Sequence, residues 1–320
     1  MKYLREISVA AAYGVLLLLM LALRPSFFQR EFFDTWVSAA PTLIAATGMT
    51  MIILARHIDI SIGAQFSICA VAAGLLAKMG IPMPMVALLT ILIGCWMGAI
   101  NGVLVAVLGL PSIVVTLATW VIFRQSLSWA RQGEMVGNLP SGFQWFGQSQ
   151  VAGEWIVVLS ALAVFLFFTW ALRFLAAGRA VYAVGSDQEA ARLAGISPKK
   201  VVGGVFVLMG ALTAIASLLQ AVRFAEVDPN AGNGLELSVI AAVVVGGTAI
   251  NGGKGTLIGT LIGVALLGTI GAALGFLSGQ AQWDKAVQGA IILLAVASEG
   301  LLGSDRKSAT VKGKAAIAAG

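Results

Sequence analysis

Charge is scarce in this 320-residue chain: Asp, Glu, Lys and Arg together make up 11% of it, against roughly 25% in ordinary soluble domains. So few charges cannot cover the surface of a water-soluble fold of this length. A single histidine, His57, rules out a His-based metal set. The only two cysteines, Cys69 and Cys95, both lie in apolar stretches and supply neither a disulfide framework nor a metal cluster. Basic runs interleaved with aromatics are also lacking, so the net charge of +6 does not point to nucleic acid as a partner.

What the chain has in plenty is apolar surface, with 59% hydrophobic residues. A helix needs about 20 residues to cross a hydrocarbon core of about 30 Å. By that measure the sequence divides into apolar segments at 7–23, 36–55, 61–79, 84–108, 113–130, 154–175, 201–222, 237–250, 256–276 and 284–302. The expected fold is all-α: a polytopic membrane helical bundle of about ten transmembrane helices, forming one domain over 1–320. It carries a cytoplasmic loop at 176–200 and a short C-terminal tail at 303–320. Lys2 and Arg5 precede the first apolar run, but no small-residue cleavage site precedes Arg24-Pro25, so 7–23 reads as an uncleaved first helix.

Ten spans put both termini on one side. Taking that side as cytoplasm gathers Arg56, Arg173, Arg179, Arg192, Lys199, Lys200 and Lys254 inside and leaves Arg24, Arg30, Lys78, Arg131, Arg223 and Lys285 outside. With the terminal cations included, the inside excess is about two to one, as the positive-inside bias requires. The expected location is a bacterial inner membrane. Glycine recurs at small-residue spacing within the spans (Gly94, Gly98, Gly102; Gly259, Gly263; Gly271, Gly275), which predicts close helix packing, with a hinge or path-lining role for a few.

Three polar stretches interrupt the spans. The outside segment 131–153 holds Phe143, Trp145 and Phe146, read as an interfacial aromatic belt or a docking surface. In 176–200, Gly178 and Gly185 bracket a short turn, Ser186-Asp187 offers an N-cap ahead of Glu189, and Gly195 is a stop signal. That predicts a helix of about two turns, either a solvated connector or a grip for a partner. In 224–255, Gly252-Gly253-Lys254-Gly255 lacks the glycine and the Ser/Thr of a phosphate loop and reads as a tight turn, so the chain has no ATPase site of its own.

Polar side chains inside apolar segments are Gln65, Asn101, Arg124, Gln125 and Gln220. Each is a candidate for a solute path or, alternatively, an interhelical hydrogen bond. Asp59, Glu226, Asp228, Glu236, Asp284 and Glu299 fall near predicted span ends, where carboxylates are ordinarily solvated or capping groups. The absence of a carboxylate pair deep in a span weighs against an ion-coupled transporter, and the absence of an acid/base or metal set weighs against a membrane-embedded enzyme.

Four ordered passages carry a resemblance. His57-Ile58-Asp59-Ile60-Ser61-Ile62-Gly63 is similar to a G-I-D-[LI]-S-V-G signature, with His57 in place of glycine. Asn101-Gly102 followed by Leu110-Pro111-Ser112 through Thr116-Leu117 forms the second, and Gly178-Arg179 through Glu189-Ala190-Ala191-Arg192 to Gly195-Ile196 the third. The fourth runs from Gly232-Asn233-Gly234-Leu235-Glu236 to Gly246-Gly247 and Gly252-Gly253-Lys254-Gly255. Together they resemble the permease subunits of bacterial ABC sugar importers, the group serving ribose, xylose, rhamnose and autoinducer 2.

The resemblance covers about 35–300 and implies a transport subunit rather than an enzyme. Its implied partners are a second permease copy, two cytoplasmic ATP-binding subunits and an extracytoplasmic solute-binding protein. No cofactor is expected on this chain, ATP and Mg being held by the partners. It further implies an ATPase-coupling element at Gly178, Arg179, Gly185, Glu189, Ala190, Arg192 and Gly195, and family-motif positions at Asp59, Ser61, Gly63, Glu236, Gly246 and Gly247. The passages around His57–Gly63, Leu110–Leu117 and Gln282–Val296 look most similar to autoinducer 2 and rhamnose permeases, which favours a solute of that type. An ABC importer of amino acids is the alternative.

Overall fold

The structure, a computed structural model, describes residues 4–278 together with isolated positions between 283 and 293. The apolar runs form helices because lipid offers no hydrogen-bond partner to an unpaired backbone. They are α1 (Leu4–Leu23), α2 (Glu31–Leu54), α3 (Ile62–Lys78), α4 (Met83–Gly102, continued by a π turn over Val103–Val107), α5 (Ser112–Arg131) and α6 (Gln150–Phe174). Beyond them lie α7 (Ala176–Ser186), α8 (Gln188–Leu193), α9 (Pro198–Ala221), α10 (Leu235–Val245) and α11 (Leu257–Ser278). No strand forms among the described residues, only an isolated bridge between Val136 and Val227.

Seven of these helices are long and apolar enough to cross a membrane. Nine of the ten expected segments coincide with described helices; the tenth, 284–302, and the tail 303–320 lie outside the described residues. Two boundaries differ in ways that matter. The second span begins at Glu31 rather than 36, which brings Glu31 and Asp34 into the helix. The eighth ends at Val245, so that α10, like α3, is shorter than a full crossing. At 1.5 Å per residue these two helices reach only about 16 and 26 Å. They meet inside the bundle, where Gly63 lies against Gly232 and the Glu236 carboxylate so closely that a side chain at 63 has no room.

α2 is the central helix, with 89% of its apolar window buried, whereas α1 is peripheral at 6%. Leu92, Trp96, Ile122, Trp129 and Leu166 are exposed around the outside, as a lipid-facing surface requires. The expected glycine packing holds for two of the three sets. Gly94, Gly98 and Gly102 of α4 abut Gly210, Phe206 and Gly203 of α9 in reverse order, so the two helices run antiparallel. Gly259 and Gly263 of α11 abut Gly246 and Ala242 of α10, whereas Gly275 faces open space.

The bundle has two distinct ends. At one, the start of α2 meets the start of α6 through Arg30, which pairs with Asp34 (3.4 Å) and Glu154 (3.2 Å). The segments 132–149 and 222–234 pack over this end, joined by the Val136–Val227 bridge and by the Trp145 amide donating to the Val222 carbonyl (2.6 Å). Phe143 is fully buried, and the Trp145 ring lies on Gly153. Phe143 is therefore core beneath this cap rather than part of a docking face, while Trp145 and Phe146 stay half-buried beside it. The other end carries α7, α8 and the 246–256 turn.

Candidate functional site

Two polar constructions stand out, one inside the bundle and one at its α7 end. The inner one begins where α2 stops. Arg56 takes a left-handed conformation (φ 68°) and turns the chain back into the bundle, while His57 does not share it. The bulky ring where the resembling family has glycine thus creates no backbone conflict; it rests near Phe206, ring centres 6.0 Å apart. Asp59 follows and is fully buried rather than solvated at a span end.

Asp59 Oδ1 accepts the Ser61 backbone N–H (2.9 Å) and its hydroxyl (2.5 Å). Ser61 Oγ in turn accepts from Gln65 Nε2 (2.7 Å) and Asn101 Nδ2 (2.8 Å). Ser61 is therefore the hub tying the turn before α3 to α4. The same turn is held to α5, with Ile58 N–H donating to Ser112 Oγ (3.3 Å) and Thr116 Oγ1 donating to the Ile58 carbonyl (3.3 Å).

Of the five sequence candidates for a path, Asn101 bonds across to the turn before α3, and Gln65 bonds back to Ser61 and Asp59 at the start of its own helix. Arg124 ties α5 to Ser67 Oγ (3.2 Å) and the Pro229 carbonyl (3.1 Å). Gln220 accepts from Arg223 (2.9 Å), and Gln125 is exposed on the outside of α5. Removing the hub hydroxyl in Ser61→Ala leaves the buried Asn101 amide without its acceptor and Gln65 with only the long contact to Asp59 Oδ2 (3.5 Å), a loss on the order of 1–3 kcal/mol. Thermal unfolding in detergent should show it, with Ser126→Ala on the exposed face of α5 unchanged.

The outer construction is a joint. α6 ends at an extended Leu175, and Gly178 sits so close to Ala171 and Leu172 that no Cβ fits. Arg179 caps α6 by donating to the Phe174 carbonyl (2.9 Å). Gly178 and Gly185 do not bracket a turn; both lie within α7, because the close approach to α6 and α2 demands a missing side chain rather than a bend. At the far end of α7, Gly185 presses on the Leu54 carbonyl, the last residue of α2. That carbonyl also accepts the Gly253 N–H (2.9 Å), and Arg56 donates to the Ser186 carbonyl (2.6 Å). Tyr182 reaches the Gly255 carbonyl (2.9 Å). Gly252 and Gly253 are left-handed (φ 78° and 69°), forming the expected tight turn.

α8 then projects from the joint as the cap signal predicted. Asp187 Oδ1 accepts the N–H groups of Glu189 and Ala190 (3.0 Å each), and left-handed Gly195 (φ 81°) ends the element. Only Ala191 is buried; Glu189 and Arg192 pair with each other on the exposed face. Beside them Leu193 is 79% exposed, a residue that sequence reasoning did not single out. Its place after the capped turn, off the buried Ala191 face, was the available signal.

The comparison with known proteins bears on what such a bundle does. Residues 32–296 match the family model described as branched-chain amino acid transport system / permease component. The chain belongs to this permease family. Among curated relatives, the permease is 31% identical to the autoinducer 2 import system permease protein LsrC of Escherichia coli O157:H7, over 92% of this chain and 87% of that protein. It is likewise 31% identical to the LsrC of Enterobacter sp. (strain 638), over 93% and 87%. With the LsrC of Salmonella paratyphi B it shares 33% identity over 83% and 77%. No solved structure matches the permease. The four motif passages all fall within the matched range.

Proposed function

We propose that the permease imports a small sugar-like solute of the autoinducer 2 or rhamnose type, driven by ATP on separate cytoplasmic subunits that dock on α8. Carrying this reading is the joint: α8 is a self-contained, capped projection whose exposed face offers Leu193 and the Glu189–Arg192 pair, and α7 links it directly to the end of the central helix α2. A partner that tilts α8 moves Gly185 against Leu54, so the nucleotide state of that partner can bias two arrangements of the bundle.

The joint end is then the cytoplasmic one. Arg56, Arg173, Arg179, Arg192, Lys199, Lys200 and Lys254 gather there, in keeping with the positive-inside bias. With the α1 start held there too, Glu6 accepting from Thr256 (2.7 Å), the N-terminus is cytoplasmic. A second permease copy and an extracytoplasmic solute-binding protein at the opposite end complete the importer.

Reconstitution of the permease with its ATPase subunits and binding protein tests this. ATP-dependent uptake of autoinducer 2 or L-rhamnose is the expected result; uptake of L-leucine instead would move the solute to the amino-acid class, and uptake driven by an ion gradient without ATP would sink the coupling. A charge swap isolates the docking face. The double variant Glu189→Arg with Arg192→Glu keeps the internal pair, and because the pair is about two-thirds exposed, stability should change by less than about 1 kcal/mol. The face shown to the partner is reversed, so ATP-driven uptake should fall at least about tenfold with membrane abundance intact.

A further inference from the structure

The hydrogen bonds around Ser61 leave two buried oxygens over, and their directions follow from the chemistry of the hub. An ionised carboxylate only accepts, so the Ser61 hydroxyl proton goes to Asp59 Oδ1 (2.5 Å). Ser61 Oγ is then left to accept alone, which fixes both amides with their nitrogens toward it: Gln65 Nε2 at 2.7 Å and Asn101 Nδ2 at 2.8 Å. Their oxygens must point elsewhere. Gln65 Oε1 and Asn101 Oδ1 are both buried, and no described residue donates to either.

Buried oxygens of a native fold are nearly always paired. Here two of them flank a fully buried carboxylate whose partners, Ser61 and Gln65, are neutral. An amide oxygen stands about 2.2 Å from its nitrogen, so both oxygens lie within about 5 Å of Ser61 Oγ, as does the carboxylate. The cluster thus combines one negative charge with two unpartnered acceptors, and it joins the turn before α3, the first turn of α3 and the end of α4.

We propose that Asp59, Gln65 and Asn101 hold a dehydrated alkali-metal cation that locks the turn before α3 onto α4. An all-oxygen donor set suits a hard cation. One carboxylate balances one positive charge, and no group of three His, Cys, Asp or Glu gathers among the described residues to hold a divalent or transition metal. A water molecule would satisfy the amide oxygens but leave the carboxylate charge unbalanced in the interior, where an unpaired charge is costly. The ion is resident rather than transported, so the ATP-driven import proposed above stands or falls separately.

Melting of the full chain in detergent tests this, with sodium or potassium chloride replacing choline chloride at constant ionic strength. A saturable rise in Tm of at least about 3 °C is expected with one of the two alkali cations, because an ion that binds only the folded state stabilises it by mass action. Asp59→Asn keeps the side-chain shape and an acceptor for Ser61 but removes the charge, and it should lose the rise. Equal melting of the wild type in sodium, potassium and choline overturns the proposal. So does a rise that persists in Asp59→Asn, which would mark a general salt effect. If Asp59→Asn does not fold, Asn101→Asp decides: a second carboxylate matches a divalent charge, so this variant should gain a calcium-dependent rise in Tm that the wild type lacks. A variant indifferent to calcium then overturns the assignment.

Discussion

Gly210→Leu should lower the unfolding free energy of the permease by about 3 kcal/mol or more, the upper end of what overpacking costs, while Gly204→Leu on the same helix changes it by less than about 0.5 kcal/mol. The two glycines share α9 but not their surroundings. At Gly210 a Cβ would run into the Gly94 carbonyl of α4, and at Gly204 it meets nothing. The obstacle at Gly210 is backbone, which cannot swing aside like a flexible side chain, so the helices must separate along a seam that includes Gly98 and Gly102. Lipid provides no hydrophobic drive to restore the lost contact. Thermal unfolding in detergent, with yield from the membrane as a second measure, separates the two variants; equal melting would remove the α4–α9 seam as a main source of stability.

At the joint, Gly185→Val should reduce ATP-driven uptake at least about tenfold while the protein still inserts. Its side chain would strike the Leu54 carbonyl, the group that also holds Gly253, so α7, α2 and the 246–256 turn could no longer converge. The damage falls on polar contacts at the end of the bundle rather than on the α4–α9 packing, which is why insertion survives. Gly195→Ala makes the contrast. Nothing surrounds Gly195, and its requirement is the left-handed φ of 81°, worth about 1 kcal/mol against alanine. Its effect should be confined to fraying of α8, with uptake reduced only a few-fold. Uptake normalised to membrane abundance compares the pair, and wild-type transport by Gly185→Val would show that α7 does not need its seat on α2.

Much of this architecture was legible in the sequence because lipid imposes length. Apolar runs of 18 to 25 residues have little choice but to be helices, and their order was readable to within a few residues. The α8 cap was legible for a similar reason: Asp187, Glu189 and Gly195 act locally, through bonds that span two or three residues. The Gly252-Gly253 turn likewise followed from local conformational demand.

What was not legible depended on how the chain turns back and on partners in other elements. Phe143 beside a membrane looks interfacial until Val222 and Val227 close over it. Asp59 at a span end looks solvated until the chain turns inward at Arg56 and brings it to Ser61, Gln65 and Asn101. The start of α2 was hidden by charge, since a span begun at 36 leaves Glu31 and Asp34 outside, whereas the structure includes both in the helix and pairs Asp34 with Arg30.

Composition and periodicity determined by themselves that this chain is a helical membrane bundle with a capped projection between two spans, because hydrocarbon thickness and backbone hydrogen bonding act on each segment alone. Only the tertiary structure decided which of many identical glycines are indispensable and which polar residues are bonded to other elements. Those are properties of what stands opposite a residue, and in this bundle the opposite residue lies tens to more than a hundred positions away.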